Sequence, residues 1–311
     1  NEWRATGMDG KRYTNLSSEL RREFGEKVGK LALDGGFTCP NRDGRLGNRG
    51  CIYCGERGAG EFTRKKIPIS EQIGFQTVDN YKKWGAGKYI AYFQSFTNTY
   101  APLDRLKELF EEALMNPGIV GLAIATRPDC LPEDILDYLE ELDRRTYLWI
   151  ELGLQTIHQD TASLIRRRYP LSAYNEAVEK LKDRKLRTVT HLILGLPGET
   201  NEKILESVDH VARTGTWGIK LHSLYIQRDT DLYGLYKKDP FPIMDKEEYV
   251  RLVSEALTRL PEDMVIHRIT GDGDKSLLYK PEWSADKLGV ISSIDKYMKE
   301  NNLKQGCRSK L

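Results

Sequence analysis

Long apolar runs are missing from this 311-residue sequence. No stretch approaches the ~20 apolar residues with which a helix spans a bilayer, so an integral membrane chain is not expected. The first twenty residues, Asn1 to Leu20, are polar and charged, so no secretory leader is expected. Charge of one sign is also scarce. The 48 Lys and Arg against 46 Asp and Glu leave +2, too little to argue for nucleic acid by itself. Histidine is sparse, at five, and none precedes His158. Cysteine is sparse and odd in number, at five, which argues against a disulfide framework. No fixed-period repeat and no Pro- or Gly-rich linker divides the chain. What remains is a cytoplasmic globular chain, long enough to bury a large core without staples.

The charge that is present is unevenly spread. Residues 1–70 hold 14 Lys and Arg against 9 Asp and Glu, a mildly basic quarter. The cysteines are uneven too: Cys39, Cys51 and Cys54 fall within sixteen residues, while Cys130 and Cys307 stand alone. The clustered three lie in a long Gly- and Arg-rich stretch, 35–61, without apolar period. A loop of that length inside a compact domain is usually functional.

Around that loop the pattern alternates strand and helix. Strands are predicted at 28–33, 88–93, 119–125, 147–154, 187–194, 218–226 and 264–269. Helices are predicted at 70–83 with Ser70 as cap, 103–115, 132–142, 158–167, 172–183, 199–213, 245–260 and 284–302. Such alternation implies a parallel sheet with right-handed crossovers, an α/β partial (β/α)6 TIM-like barrel. The expected organisation is an N-terminal extension at 1–27, a barrel at 28–260 and a C-terminal extension at 261–311. Chemistry in such folds sits at the C-terminal strand ends, where Gln94, Thr126, Arg127, Gln155 and Gln227 fall. Two tempting motifs fail. Gly195-Leu196-Pro197-Gly198-Glu199-Thr200 lacks the Gly-Lys-Ser/Thr of a phosphate loop, and Gly85-Ala86-Gly87-Lys88 precedes a strand instead of following one.

Three thiolates are one short of a closed zinc site. Cys130 is the one distant candidate for a fourth. An iron–sulfur cluster fits better: thiolates are its usual ligands, and three leave one iron with an open position.

A cysteine loop after the first strand of a partial barrel, with Tyr53 before the last cysteine, resembles the radical S-adenosylmethionine (SAM) superfamily. Its usual spacing is Cys-x3-Cys-x2-Cys; the eleven-residue first gap here resembles the branch near the Elongator catalytic subunit. Within it, Ala32-Leu33-Asp34-Gly35-Gly36-Phe37-Thr38-Cys39-Pro40-Asn41-Arg42-Asp43-Gly44 resembles the YtqA/YhcC-type proteins. So do the runs from Tyr92 to Pro102 and from Glu151 to Thr156.

The resemblance implies that Cys39, Cys51 and Cys54 hold a [4Fe–4S] cluster that reductively cleaves SAM to a 5′-deoxyadenosyl radical. It implies that Tyr53 sits by the adenine. Gln94 and Ser95 end the second strand where the superfamily keeps a SAM-amino motif. Glu151, Gly153 and Gln155 share a strand face by the period of two, and a carboxylate there favours a ligand-facing role. Arg167, flanked by Arg166 and Arg168, is a candidate partner of the SAM carboxylate, and His191 of the ribose. For substrate, the candidates are Arg127 and the same-face pair Lys220 and His222. Cys130 is either a hydrogen-atom donor or a buried thiol.

The Elongator-like branch points to tRNA, and the implied reaction converts 5-carboxymethylaminomethyluridine to 5-aminomethyluridine at the wobble position. An anticodon loop would run its phosphates over basic residues: Arg42, Arg45, Arg49, Arg64, Lys65 and Lys66. A reductant such as flavodoxin or ferredoxin is a further expected partner. Two alternatives stand beside this: a radical SAM enzyme on a small metabolite, and a non-enzymatic metal-bound RNA-binding module.

Overall fold

A computed structural model describes residues 10–58, 67–271 and 273–309. Arg64, Lys65 and Lys66, and the end of the cysteine loop, lie outside the described residues. Among the described residues nine strands form: β1 (Val28–Leu33), β2 (Lys88–Phe93), β3 (Ile119–Thr126), β4 (Tyr147–Gln155), β5 (Arg187–Leu194), β6 (Gly218–Ser223), β7 (Ile226–Gln227), β8 (Val265–Arg268) and β9 (Leu278–Lys280). Seven of them make one sheet, in the order β1-β2-β3-β4-β5-β6-β8, and every neighbour in it is parallel. The sheet order follows the chain order, so each crossover helix packs on the same face and the sheet curls toward an open barrel. This is the partial parallel barrel that the alternation implies.

The helices are α1 (Leu16–Phe24), α2 (Ile69–Trp84), α3 (Leu103–Leu114), α4 (Glu133–Asp143), α5 (Gln159–Leu164), α6 (Leu171–Asp183), α7 (Asn201–Thr214), α8 (Asp231–Lys238), α9 (Lys246–Arg259) and α10 (Lys287–Glu300). Their starts show what the sequence resolves. Thr200 and Asp245 cap α7 and α9 by accepting from the backbone N–H three residues on. Ser70 does not cap α2. Its backbone N–H donates to Glu112 at 2.9 Å, and the helix begins one residue earlier at Ile69. Burial moved the boundary: Ile69 and Ile73, one turn apart, are both buried.

The main core lies between the convex sheet face and the crossover helices, with residues such as Leu31, Phe93, Leu122 and Leu148 meeting Leu106, Phe110 and Leu139. A second, smaller core fills the concave floor around Ile90, Trp149 and Val189, where Leu16, Leu20 and Phe24 of α1 pack. The segment 261–311 contributes β8 to the sheet, and Asn15 pairs with Ile266 beside it. A third core, with Ile52, Ile165, Ile193, Leu224 and Leu232, lies under the cysteine loop.

Candidate functional site

The C-terminal ends of the parallel strands enclose a cavity of about 160 Å³. Cys39, Cys51 and Cys54 line it together with Tyr53, Arg127, Gln155 and His191. A neighbouring cavity of about 130 Å³ shares Tyr53, Cys54, Gln155 and His191 with it and is walled beyond by His222 and Leu224. The two together approach the ~300 Å³ at which small-molecule pockets begin.

The loop reaches this position through its own backbone and two side chains that sequence reasoning did not weigh for this task. Arg42 folds back and donates to the carbonyls of Cys54 at 2.8 Å and Gly55 at 2.7 Å. Asn41, buried, donates through Nδ2 to the Arg166 carbonyl at 2.9 Å and approaches Cys51 Sγ at 3.5 Å. Gly50 sits at φ +72, and a Cβ there would meet Arg42 Nε at 2.8 Å, so the turn before Cys51 requires glycine. Ile52 anchors the loop from below: its N–H donates to the Ile165 carbonyl at 3.2 Å, and its carbonyl accepts from Leu232 N–H at 2.7 Å.

Burial raises the Cys51 thiol, and pushes the Cys54 thiol up to about 12. The metal-free loop therefore keeps these thiols protonated, and binding a metal group releases those protons. Among the described residues no group of three His, Cys, Asp or Glu side chains is placed to hold a single metal ion. Three soft thiol donors lining one cavity, with no set of three placed around a single ion among the described residues, suit an iron–sulfur cluster better than a lone zinc.

Below the thiols the barrel interior holds a closed polar network. Glu151 accepts through Oε2 from Tyr92 OH at 2.7 Å and is bonded to His191 Nε2 at 2.8 Å; Oε1 accepts from Trp149 Nε1 at 2.8 Å. Lys220 Nζ pairs with the same carboxylate and donates to Tyr92 OH at 3.0 Å. Burial by itself would raise the Glu151 carboxyl, but the Lys220 ammonium and His191 outweigh it and hold it well below the usual range. Burial, with Lys220 nearby, pushes His191 down to about 4, so the Glu151–His191 contact at neutral pH is a hydrogen bond from a neutral ring.

The structure thus separates the expected residues. Tyr53, Gln94, Gln155, Arg127 and His191 line the cavity. Ser95 is fully buried and is not among the lining residues. Glu151 lines the wall with Gly153 and Gln155, as the strand period implies, but both its oxygens are already taken. Lys220 is closed in beneath it, whereas His222 of the same face reaches the second cavity, 5.3 Å from the His191 ring. The three consecutive arginines diverge. Arg166 pairs with Asp231, Arg168 lies over Gly47, and Arg167 turns inward. Most of the Arg167 guanidinium is spent on backbone, with donations to the carbonyls of Leu154 at 2.9 Å, Thr156 at 2.5 Å and Tyr169 at 2.9 Å. Its Cζ stands 4.7 Å from the Tyr169 ring centroid, and Arg127 stands 4.8 Å from the same ring. Arg127 is further held by two bonds to Asp129, at 2.9 and 2.7 Å. Arg45 and Arg49 are exposed on the loop's outer side, Arg49 paired with Asp231 at 2.8 Å. Cys130 is buried, and burial pushes its thiol up to about 12. Tyr92, Trp149, Tyr169 and Asn41 were missed. For Tyr92 and Trp149 the available signal was their place on the inward face of strands.

Comparison with known proteins agrees with this geometry. Residues 43–211 match the family model of the radical SAM superfamily and residues 216–300 that of the radical SAM C-terminal domain. The uncharacterized protein YtqA of Bacillus subtilis is 45% identical over 300 residues, which is 95% of this chain and 92% of that one. Protein YhcC of Escherichia coli is 34% identical over 291 residues, 93% of each. The tRNA uridine(34) acetyltransferase of Methanocaldococcus jannaschii is 25% identical over 191 residues, 60% of this chain and 34% of that one. The structure of the archaeal Elp3 of Methanocaldococcus infernus superposes with a TM-score of 0.68 at 19% identity, over 89% of this chain and 64% of that one, a likeness of fold. A cysteine loop at the mouth of an open parallel barrel is therefore matched along nearly the whole chain, and the protein belongs to the radical SAM superfamily, among the relatives of YtqA and YhcC.

Proposed function

We propose that this radical SAM enzyme acts on the wobble uridine of tRNA, converting 5-carboxymethylaminomethyluridine to 5-aminomethyluridine, with SAM as the two-electron oxidant (leaving as methionine and 5′-deoxyadenosine) and water cleaving the N–CH2 bond so that the carboxymethyl carbons leave as glyoxylate. The observation that carries the radical reading is the single loop whose three thiols line the strand-end cavity. The tRNA reading is supported by the similarity to the tRNA uridine(34) acetyltransferase of Methanocaldococcus jannaschii and by Arg45 and Arg49, which are exposed on the loop that carries the cysteines.

In this proposal Cys39, Cys51 and Cys54 would hold a [4Fe–4S] cluster, which would supply the one-electron reduction that cleaves SAM. A flavodoxin or ferredoxin delivers that electron. The chain's own residues do the rest. Tyr53 and Gln155, shared by both cavities, border the adenosine. His191, its Nε2 turned to Glu151, offers its remaining nitrogen to a ligand hydroxyl. Gln94 and Arg127 close the opposite wall. Arg167 holds the turn after β4, and through it Gln155, in place. His222 faces the second cavity, where the reacting base enters. Arg45 and Arg49 take tRNA phosphates, while Arg42, committed to the loop carbonyls, steadies the cysteines. Glu151, Lys220 and Ser95 support from behind.

The test is anaerobic reconstitution, reduction with dithionite and SAM, and measurement of 5′-deoxyadenosine and of digested nucleosides, with and without bulk tRNA carrying the carboxymethylaminomethyl group. Stimulation by tRNA together with new 5-aminomethyluridine is the expected result. 5′-Deoxyadenosine indifferent to tRNA would move the substrate to a small molecule.

A further inference from the structure

At the same end of the barrel as the cysteine loop lies a separate pocket of about 680 Å³. It shares no lining residue with the two strand-end cavities and is larger than either. Only one wall divides it from the cysteines, and the turns that follow β2 and β3 form that wall. Thr97 and Arg127 line the cysteine cavity, while Thr99 and Pro128 line the outer pocket. Hydrogen bonds join the two turns: Asn98 N–H donates to the Ala125 carbonyl at 3.0 Å, and the Thr99 and Thr126 hydroxyls are bonded to each other. The pocket is thus preformed and borders the reaction site.

Its chemistry suits a neutral planar ring. Two of its charged groups are already answered, Asp129 by Arg127 and Lys180 by Glu133. The remaining surface is largely apolar, with Leu131 and Ile135 from the segment after β3 and Ala173 from α6. On the cysteine-loop side, the Arg45 Cζ stands 5.7 Å from the Tyr100 ring centroid. Unstacked bases of single-stranded RNA are held in this way, against an aromatic ring or a guanidinium plane. Glu176, exposed on α6, can accept from the amino group of such a base. The volume is that of a ligand site.

We propose that the outer pocket takes a second base of the same tRNA loop, stacked at Tyr100 and Arg45. The inference rests on the tRNA reading given above and extends it to a nucleotide that is not itself modified. While the wobble uridine enters past the cysteines, the strand crosses the wall and sets another base down behind it. Holding that base fixes which nucleotide of the loop can reach the reaction cavity.

The experiment binds a synthetic anticodon stem-loop RNA to the reconstituted full chain, with 2-aminopurine placed at each loop position in turn. Anisotropy gives the affinity, and the 2-aminopurine emission falls when that base stacks. One position besides the wobble nucleotide should be quenched on binding. Tyr100→Ala should abolish that quenching and weaken binding about tenfold, the loss expected of one stacked base. Tyr100→Phe should keep both, because the ring remains. Ala173→Leu fills the pocket from α6 and should act like Tyr100→Ala while removing no contact. Ala173 is partly exposed in a helix, where leucine is well tolerated, so this variant stays folded even if Tyr100→Ala does not. No quenched position besides the wobble nucleotide, or quenching unaltered by Tyr100→Ala or by Ala173→Leu, would overturn the proposal and leave the pocket to another occupant. RNA that fails to bind at all takes the tRNA reading down with it; RNA that binds without this quenching strikes the pocket alone.

Discussion

Glu151 shows how a single side chain changes meaning once its neighbours are known. On the strand it is an inward carboxylate that calls for a partner, and a ligand is one candidate. In the fold the partners are Tyr92, Trp149, His191 and Lys220, and the acid is a keystone of the wall. A consequence is acid sensitivity. His191 is held down near 4 by burial and Lys220, against 6.5 for a free imidazole, and Glu151 is also held low. Both groups bind protons more readily in the unfolded chain. The His191 contribution is therefore present above about pH 6.5 and is lost as pH falls through about 4, whereas that of Glu151 is lost only at lower pH. For His191 the loss is on the order of 3 kcal/mol. Urea unfolding of the metal-free protein at steps from pH 7 to 4 should show this decline, and His191→Gln should flatten it. An unchanged slope in that variant would assign the titration elsewhere.

At the scale of elements, the cysteine loop has almost no periodic structure of its own and is shaped by what it rests on. Ile52, one residue past the second cysteine, is buried against Ile165 and bonded to Leu232 of α8. On the loop's outer side Asp231, also in α8, pairs with Arg49 and Arg166. The exposed ion pairs contribute little, about 0–1 kcal/mol each. Burying the Ile52 side chain contributes more, roughly 1.5–3 kcal/mol. Ile52→Ala should accordingly cost about 2–5 kcal/mol of order in this substructure. The expected readout is a lower iron content after reconstitution, with far-ultraviolet circular dichroism unchanged because the sheet is untouched. Normal iron loading would show that the thiols hold their places without this anchor. α8 itself was not foreseen, and neither were α1 and β9, while the strand expected at 218–226 divides into β6 and β7, with Leu224 and Tyr225 between them. The signal for α1 was present in Leu16, Leu20 and Phe24 at helical spacing. For the two- and three-residue strands β7 and β9, no periodic signal fits in so short a run.

Across the whole molecule, charge is close to balanced and only its placement matters. The basic surplus of the first seventy residues includes Arg45 and Arg49, both exposed on the outer side of the cysteine loop. If these arginines meet tRNA phosphates, the double variant Arg45→Glu/Arg49→Glu should weaken tRNA binding across sequences. It should also lower the slope of log affinity against log salt by about 1.4 to 1.8 for two lost contacts. Filter binding between 50 and 200 mM salt, concentrations chosen to span the usual range, gives that slope. An unchanged slope would remove this face from the interface.

The sequence by itself determined the alternating fold, the seven parallel strands and the cysteine triad with its cavity-side neighbour Tyr53. These signals are local: a strand or helix period and a spacing of eleven and two residues. Only the tertiary structure decided which polar residues face a ligand and which face one another. Tyr92, Glu151 and Lys220 stand 59 and 69 positions apart and meet only because parallel strands bring every strand's inward face to one axis. It also decided that Arg167 and not its neighbours turns inward, since Arg166 and Arg168 sit at positive φ and throw their side chains to other sides of the turn. The opening between β1 and β8 belongs to that second class. It exists because the barrel stops before closing, and no stretch of sequence records the gap between its first strand and its last.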